Sequence, residues 1–241
     1  MSMKPILICL ALSALCSTAL AAPKTSDPWD GVPIAERPRP GTPNIGGMWA
    51  MPKPITRLKT LDGGDPPLLP AARAAYDKAA AALKADPSTD PVSKCWMQGV
   101  PRLIYAPYPV LISQEKDRIN FVHEANHTFR VISLVRPLPK AGEDLDPAWL
   151  GYSAGRWEGK TLVIDTIGFN DKTWLDYSGL PHSDKLRVQE RYSLKNADTI
   201  EGRITITDPE TFSHPWTTGL TLVRKPGYEM KESVCVRDHK M

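Results

Sequence analysis

No run of basic residues interrupts this 241-residue chain, whose net charge is only +3. A nucleic-acid partner, which needs clustered Lys and Arg to displace phosphate counterions, is therefore not expected. Long apolar runs are equally scarce. The one candidate, Ile6 to Leu15, falls short of the roughly 20 residues that a membrane-spanning helix needs. It follows Lys4 and precedes Ala19-Leu20-Ala21, the order of charged start, apolar middle and small-x-small cleavage site that marks a signal peptide. Residues 1–21 are thus expected to be cleaved after Ala21. The mature chain would then be periplasmic or secreted and free of the membrane. A lipidated Cys16 is a weaker reading, because Leu15 suits that processing poorly.

Cysteine is also sparse, with four in the chain. Removing the signal peptide leaves Cys95 and Cys235, an even pair in an exported chain. Such a pair suggests one disulfide from the start of the main domain to its C-terminal end; two buried free thiols are the other possibility. Removal also takes Lys4, so 29 Lys and Arg face 27 Asp and Glu. The common cofactor and nucleophile signatures are missing. No G-x-G-x-x-G follows a strand, no lysine closes a phosphate loop, and no G-x-S-x-G elbow could present a serine to His182 and Asp184. Tyr152-Ser153-Ala154-Gly155 is a poor substitute for that elbow. There is no internal repeat.

Proline is plentiful where structure is least expected. Six prolines fall between Pro23 and Pro43, so residues 22–43 can form neither helix nor ladder. A single domain is expected over 44–241. Pro70 to Ala85 reads as its one helix, with Pro70 suited to the first turn and Asp86-Pro87 to stop it. Beyond Tyr105, short β-rich runs alternate with turn residues: 108–115, 118–123, 128–135, 155–157, 161–166, 186–194, 199–207 and 220–235, the last broken at Pro226-Gly227. Asn44 to Trp49 adds the entry to a first strand. Strands joined by short connections favour hairpins. The expected fold is all-β with one N-terminal helix, an antiparallel, lipocalin-like curved sheet or barrel. Gly47-Met48-Trp49 resembles the Gly-x-Trp of the first lipocalin strand.

The stretch from Trp149 to Ser183 holds three of the seven tryptophans and five of the 16 glycines. Trp157-Glu158-Gly159-Lys160 makes a hairpin turn, and the polar, aromatic loop after Phe169 is a candidate wall or lid for a site, with Trp174 and His182 over a pocket. Together with KCWMQGVPR, YPVLISQ, the Glu124 to Arg130 spacing, PHSDKLRVQERY, TITDPETFSHPW and the terminal ESVC, the run Gly155-Arg-Trp-Glu-Gly-Lys-Thr-Leu-Val163 resembles a large family of exported bacterial β proteins. The resemblance covers Lys94 to Cys235 and implies export, a shared β fold and a shared pocket. Many of those relatives carry an acidic-Gly-Arg-x-His-Pro run where this chain has Leu134 to Pro139, so a site using that histidine is absent here.

His123-Glu124-Ala125-Asn126-His127 matches the zinc-hydrolase pattern H-E-x-x-H. That motif works on a helix, which stacks both imidazoles on one face. Here the flanks alternate like strands and place Ala125-Asn126 at a turn, so no metal is assigned. Strand parity instead puts His123 on the apolar face with Ile119 and Phe121, and Glu190 on one with Leu186, Val188 and Tyr192. Each is either a satisfied core residue or an ionisable group tuned by burial for proton transfer. Arg130 could anchor a substrate or pair with Glu124, and Arg191 is expected outside. The preferred function is a cofactor-independent lyase acting on a small aromatic or hydrophobic compound. His123, Glu190 and His182 would be its acid–base groups, and Arg130, Tyr105, Trp157, Trp174 and Tyr192 its binding residues. Phenolic acid decarboxylases run comparable chemistry on a lipocalin-like barrel, an analogy at the level of fold. The alternative is a barrel that only holds such a ligand; a zinc hydrolase is the minor one.

Overall fold

The structure is a computed structural model, described here for residues 37–140 and 145–235. The signal-peptide reading of 1–21 and most of the proline-rich 22–43 lie outside the described residues. The strands are β1 (Gly47–Ala50), β2 (Val110–Gln114), β3 (Arg118–His123), β4 (Phe129–Ser133), β5 (Tyr152–Glu158), β6 (Thr161–Ile167), β7 (Arg187–Asn196), β8 (Thr199–Thr207) and β9 (Trp216–Arg224). They close in sequence order into one barrel, with β9 pairing back to β1. The lipocalin-like, all-β architecture is thus present, together with one α-helix among the described residues, α1 (Pro70–Ala85). No described helix is long and apolar enough to cross a membrane.

Alternation explains why the sheet curls on itself. Along β3, β8 and the first six residues of β7 every second side chain is buried, so each strand turns one face inward and the two edges must meet to hide it. The interior is filled by Ile112, Ile119, Phe121, Ile132, Leu162, Ile164, Tyr192 and Ile204, all at most 2% exposed. At the closing seam Trp49 pairs with Arg224, whose guanidinium lies 4.2 Å from the indole ring and donates to the Gly46 carbonyl. The β5–β6 hairpin turns at Gly159, whose φ of 58° is the left-handed conformation expected there.

Two strands differ most from expectation. β5 starts at Tyr152, three residues earlier, because Tyr152 to Ala154 pair with Asp165 to Ile167 of β6. β9 starts at Trp216, since Trp216 to Gly219 pair with Arg203 to Ile206 of β8. Its Thr-Thr-Gly looks turn-like by residue type, but partner pairing overrides that weak preference. β9 stops at Arg224, and residues 225–235 form a strap off the sheet.

One seam is thin. β4 and β5 run parallel and share a single registered pair, Ser133 with Ala154. Side chains replace the missing ladder: a Cβ on Gly155 would stand only 2.6 Å from Ile132 Cγ2 and 3.0 Å from Leu134 Cδ2. The glycine of the Gly-Arg-Trp-Glu-Gly run therefore lets these two side chains close over β5.

Candidate functional site

The polar side chains inside the barrel converge on that seam. Arg130 projects inward from β4 and reaches across β5 and β6 to β7. Its Nη2 donates to Ser153 Oγ (3.1 Å), Thr166 Oγ1 (3.3 Å) and Glu190 Oε1 (2.7 Å), and its Nη1 to Glu190 Oε2 (3.2 Å). Tyr192 Oη donates to Glu190 Oε2 at 2.7 Å. Both members of the ion pair are shut from solvent, at 2% and 0% side-chain exposure. Burial lowers the Arg130 pKa, but the Glu190 charge and hydrogen bonds outweigh it, so the guanidinium stays charged. Burial, and then the adjacent Glu190 charge, raise the Tyr192 phenol well above its ordinary value.

His123 closes β3 beside this network. It shares the interior face with Ile119 and Phe121, whose ring stacks 6.4 Å from the imidazole. Burial first, and the Arg130 charge second, push its pKa down to about 3. The imidazole is neutral and its Nε2 has no partner. Tyr105 is also fully buried, with its phenol pKa raised chiefly by burial. The Thr218 side chain lies beside it and offsets a little of that rise, but makes no well-formed hydrogen bond to Tyr105 Oη. Arg130 Nε and Trp216 Nε1 are likewise unpartnered. Four buried polar atoms of the barrel thus lack partners, each at a cost of about 1–3 kcal/mol.

Glu190 was expected to act with His123. The structure puts both inside the barrel, yet the two make no hydrogen bond, and both carboxylate oxygens already serve Arg130 and Tyr192. Arg130 pairs with Glu190, not with Glu124. Arg191 lies outside, bonded to Glu158 at 2.9 Å. Trp157 is half-buried against the core.

The loop residues make their contacts elsewhere. His182 Nδ1 donates to the Ser183 carbonyl (2.9 Å), which fixes the tautomer, so Nε2 accepts from Thr173 Oγ1 (2.7 Å). Both ring nitrogens are engaged, and burial lowers the pKa. Trp174 lies on the Arg102 guanidinium, 6.0 Å away, with Tyr177 on the same group at 4.3 Å. Asp176 accepts from the backbone of Leu58, Ser178 and Leu180 and so staples the loop to its neighbours. Arg102 itself is buried against Asp90 in a two-pronged ion pair. Sequence reasoning passed over that pair, as it did Ser153 and Thr166; strand parity would have turned both hydroxyls inward.

The H-E-x-x-H residues separate at a turn, Ala125–His127, where Asn126 has φ 52° and His127 φ 46°. His123 faces the interior. Glu124 accepts from Tyr228 Oη (2.8 Å) and the Lys231 amide (2.9 Å), and His127 Nε2 accepts from the Ser233 amide (3.2 Å). The motif therefore moors the C-terminal strap, which ends at the Cys95–Cys235 disulfide. Among the described residues no cluster of three or more His, Cys, Asp or Glu side chains could hold a metal.

The histidine burial has a measurable consequence. Above about pH 6.5 both folded and unfolded chains carry neutral His123. Below that, the unfolded chain takes up a proton that the folded state refuses until about pH 3. Stability is then lost as pH falls, by about 1.4 kcal/mol per pH unit for one such group. Urea melts from pH 7 to 5 should show a slope about that much shallower in His123→Gln. An unchanged slope would mean that His123 protonates within the fold.

The thin seam also carries a cavity. A cavity of about 360 Å³ lies over it, lined by Val131 and Ser133 of β4, Ser153 of β5 and residues 136–139. Ser153 lines that cavity and bonds Arg130 inside, so it connects the surface to the buried network. No family model, no curated protein and no solved structure matches the chain.

Proposed function

We propose that this chain is an exported small-molecule-binding barrel protein whose ligand is a compact, uncharged aromatic or hydrophobic molecule carrying a hydroxyl or carbonyl group. The unpartnered His123 Nε2 and Tyr105 Oη carry this reading. They are buried polar atoms beside a paired Arg130–Glu190, and a ligand hydroxyl would relieve the cost of leaving them unpaired. Arg130 and Glu190 cancel, and His123 and Tyr105 are neutral, so an anion would find no uncompensated charge. The filled interior demands a small ligand, admitted where one backbone pair holds β4 to β5. The Cys95–Cys235 pair suits an oxidising compartment, in keeping with removal of residues 1–21 on export.

Calorimetric titration tests this with guaiacol and vanillyl alcohol against benzoate. The neutral phenols should bind, benzoate should not, and His123→Phe or Tyr105→Phe should each weaken binding about tenfold. Preference for benzoate, or no phenol binding at millimolar concentration, would reject it.

A cofactor-independent lyase remains the second reading. It is favoured by the neutral imidazole with a free Nε2 and by a protonated phenol, a base and a proton donor that are both buried. Glu190 would then hold Arg130 in place, with His123 as the base. Turnover of aromatic acids and aldehydes that survives a chelator and vanishes in His123→Ala would favour catalysis. Binding without turnover would leave the simpler role.

A further inference from the structure

A groove of about 720 Å³ lies on the outside of the barrel. Its floor is the outer face of β7, β8 and β9. Its wall is the segment after β1, including Met51, Ile55 and Leu61. The Leu61 amide bonds the Thr217 carbonyl of β9 at 3.0 Å, which holds that wall beside the sheet. Gly219 opens the floor: a side chain there would fill the space beneath Leu61, whose Cδ2 would lie 3.3 Å from the added Cβ. Leu61 is 56% exposed, an uncovered apolar side chain at the lip of a cavity.

The charges in this groove are arranged against the sheet's own interest. Arg191 and Arg203 stand directly opposite each other on β7 and β8, and facing like charges destabilise a strand pair. Arg191 is offset by Glu158. Arg203 has no carboxylate or hydrogen-bond partner among the described residues, and neither does Lys53 across the groove. The one acid in the lining, Glu201, is taken by Lys195 at 2.7 Å. Three cations, one of them neutralised, thus border an apolar trough.

We propose that this groove binds a single-chain amphiphile with an anionic head, the head meeting Arg203, Arg191 and Lys53 and the tail lying along Met51, Ile55 and Leu61. A guanidinium pair suits the oxygens of either a carboxylate or a phosphate. The apolar wall explains why the ligand needs a tail, and the volume falls in the usual range for small-molecule sites. The site lies outside the barrel and does not depend on the interior binding proposed above.

The test is calorimetry on the mature, disulfide-intact chain with decanoate, decyl phosphate, decanol and acetate, each below its micellar or solubility limit. Decanoate or decyl phosphate should bind, the tighter of the two naming the head group, while decanol and acetate bind at least about tenfold more weakly. Arg203→Gln should weaken the anion about five- to tenfold. Gly219→Leu should abolish binding by filling the trough, with an unchanged circular dichroism spectrum. His123→Phe should leave decanoate binding untouched, which separates this site from the interior one. Decanol binding as well as decanoate, indifference to Arg203→Gln, or no binding of either anion at 1 mM would overturn the proposal.

Discussion

Replacing Glu190 by glutamine is expected to destabilise the protein by about 3–5 kcal/mol, because it leaves the Arg130 guanidinium buried without its counter-charge. The loss should exceed that of an ordinary ion pair for a further reason. Arg130 and its partners Ser153, Thr166 and Glu190 link four consecutive strands across the place where β4 and β5 share one backbone pair. Tyr192 also loses a charged acceptor. For a domain of this size the drop corresponds to roughly 8–15 °C in Tm. The double variant Arg130→Met/Glu190→Gln should be less destabilised than Glu190→Gln alone, since no buried charge remains. Additive losses, or a Glu190→Gln effect below about 1 kcal/mol, would show that water reaches the pair and relieves it.

The second large effect belongs to the disulfide. Cys95 and Cys235 are separated by 140 positions, a loop whose closure lowers unfolded-chain entropy by about 4–5 kcal/mol. In the folded state the bond pins the strap that Glu124 and His127 hold by only three hydrogen bonds. The double variant Cys95→Ser/Cys235→Ser should therefore melt some 10–15 °C lower, with protease cutting first within 225–235. A reduced protein that loses less than about 1 kcal/mol would mean that the strap detaches in the native state and returns the entropy.

Strand parity made a large part of this molecule legible. Alternation in 118–123 and 186–194 turns His123 and Glu190 inward, and both are inside. Parity does not reveal which strands face one another across a closed barrel, so the partner of Arg130 lay hidden: Glu190 is 60 residues away and three strands distant. Glu124, the nearer acid in sequence, turns instead to the strap. The contacts of the loop after Phe169 were hidden for a related reason. Asp176 and His182 are polar in a loop, the usual mark of a site, but a loop packed against other segments must also satisfy its own buried backbone. Residue type alone does not separate those two duties. The outer groove left no signal either, because the meeting of Arg191, Arg203 and Gly219 depends on the register of three strands.

The most direct test of interior binding reads the imidazole nitrogens of His123 themselves. Long-range ¹H–¹⁵N spectra of residues 22–241, titrated with guaiacol, should show His123 Nε2 shifting toward a hydrogen-bonded value while His127, His182 and His214 stay fixed. The shift should disappear in Tyr105→Phe. A His123 signal that does not move when guaiacol is bound, or one that reports a protonated ring at pH 7, would contradict the assignment of this barrel interior as the ligand site.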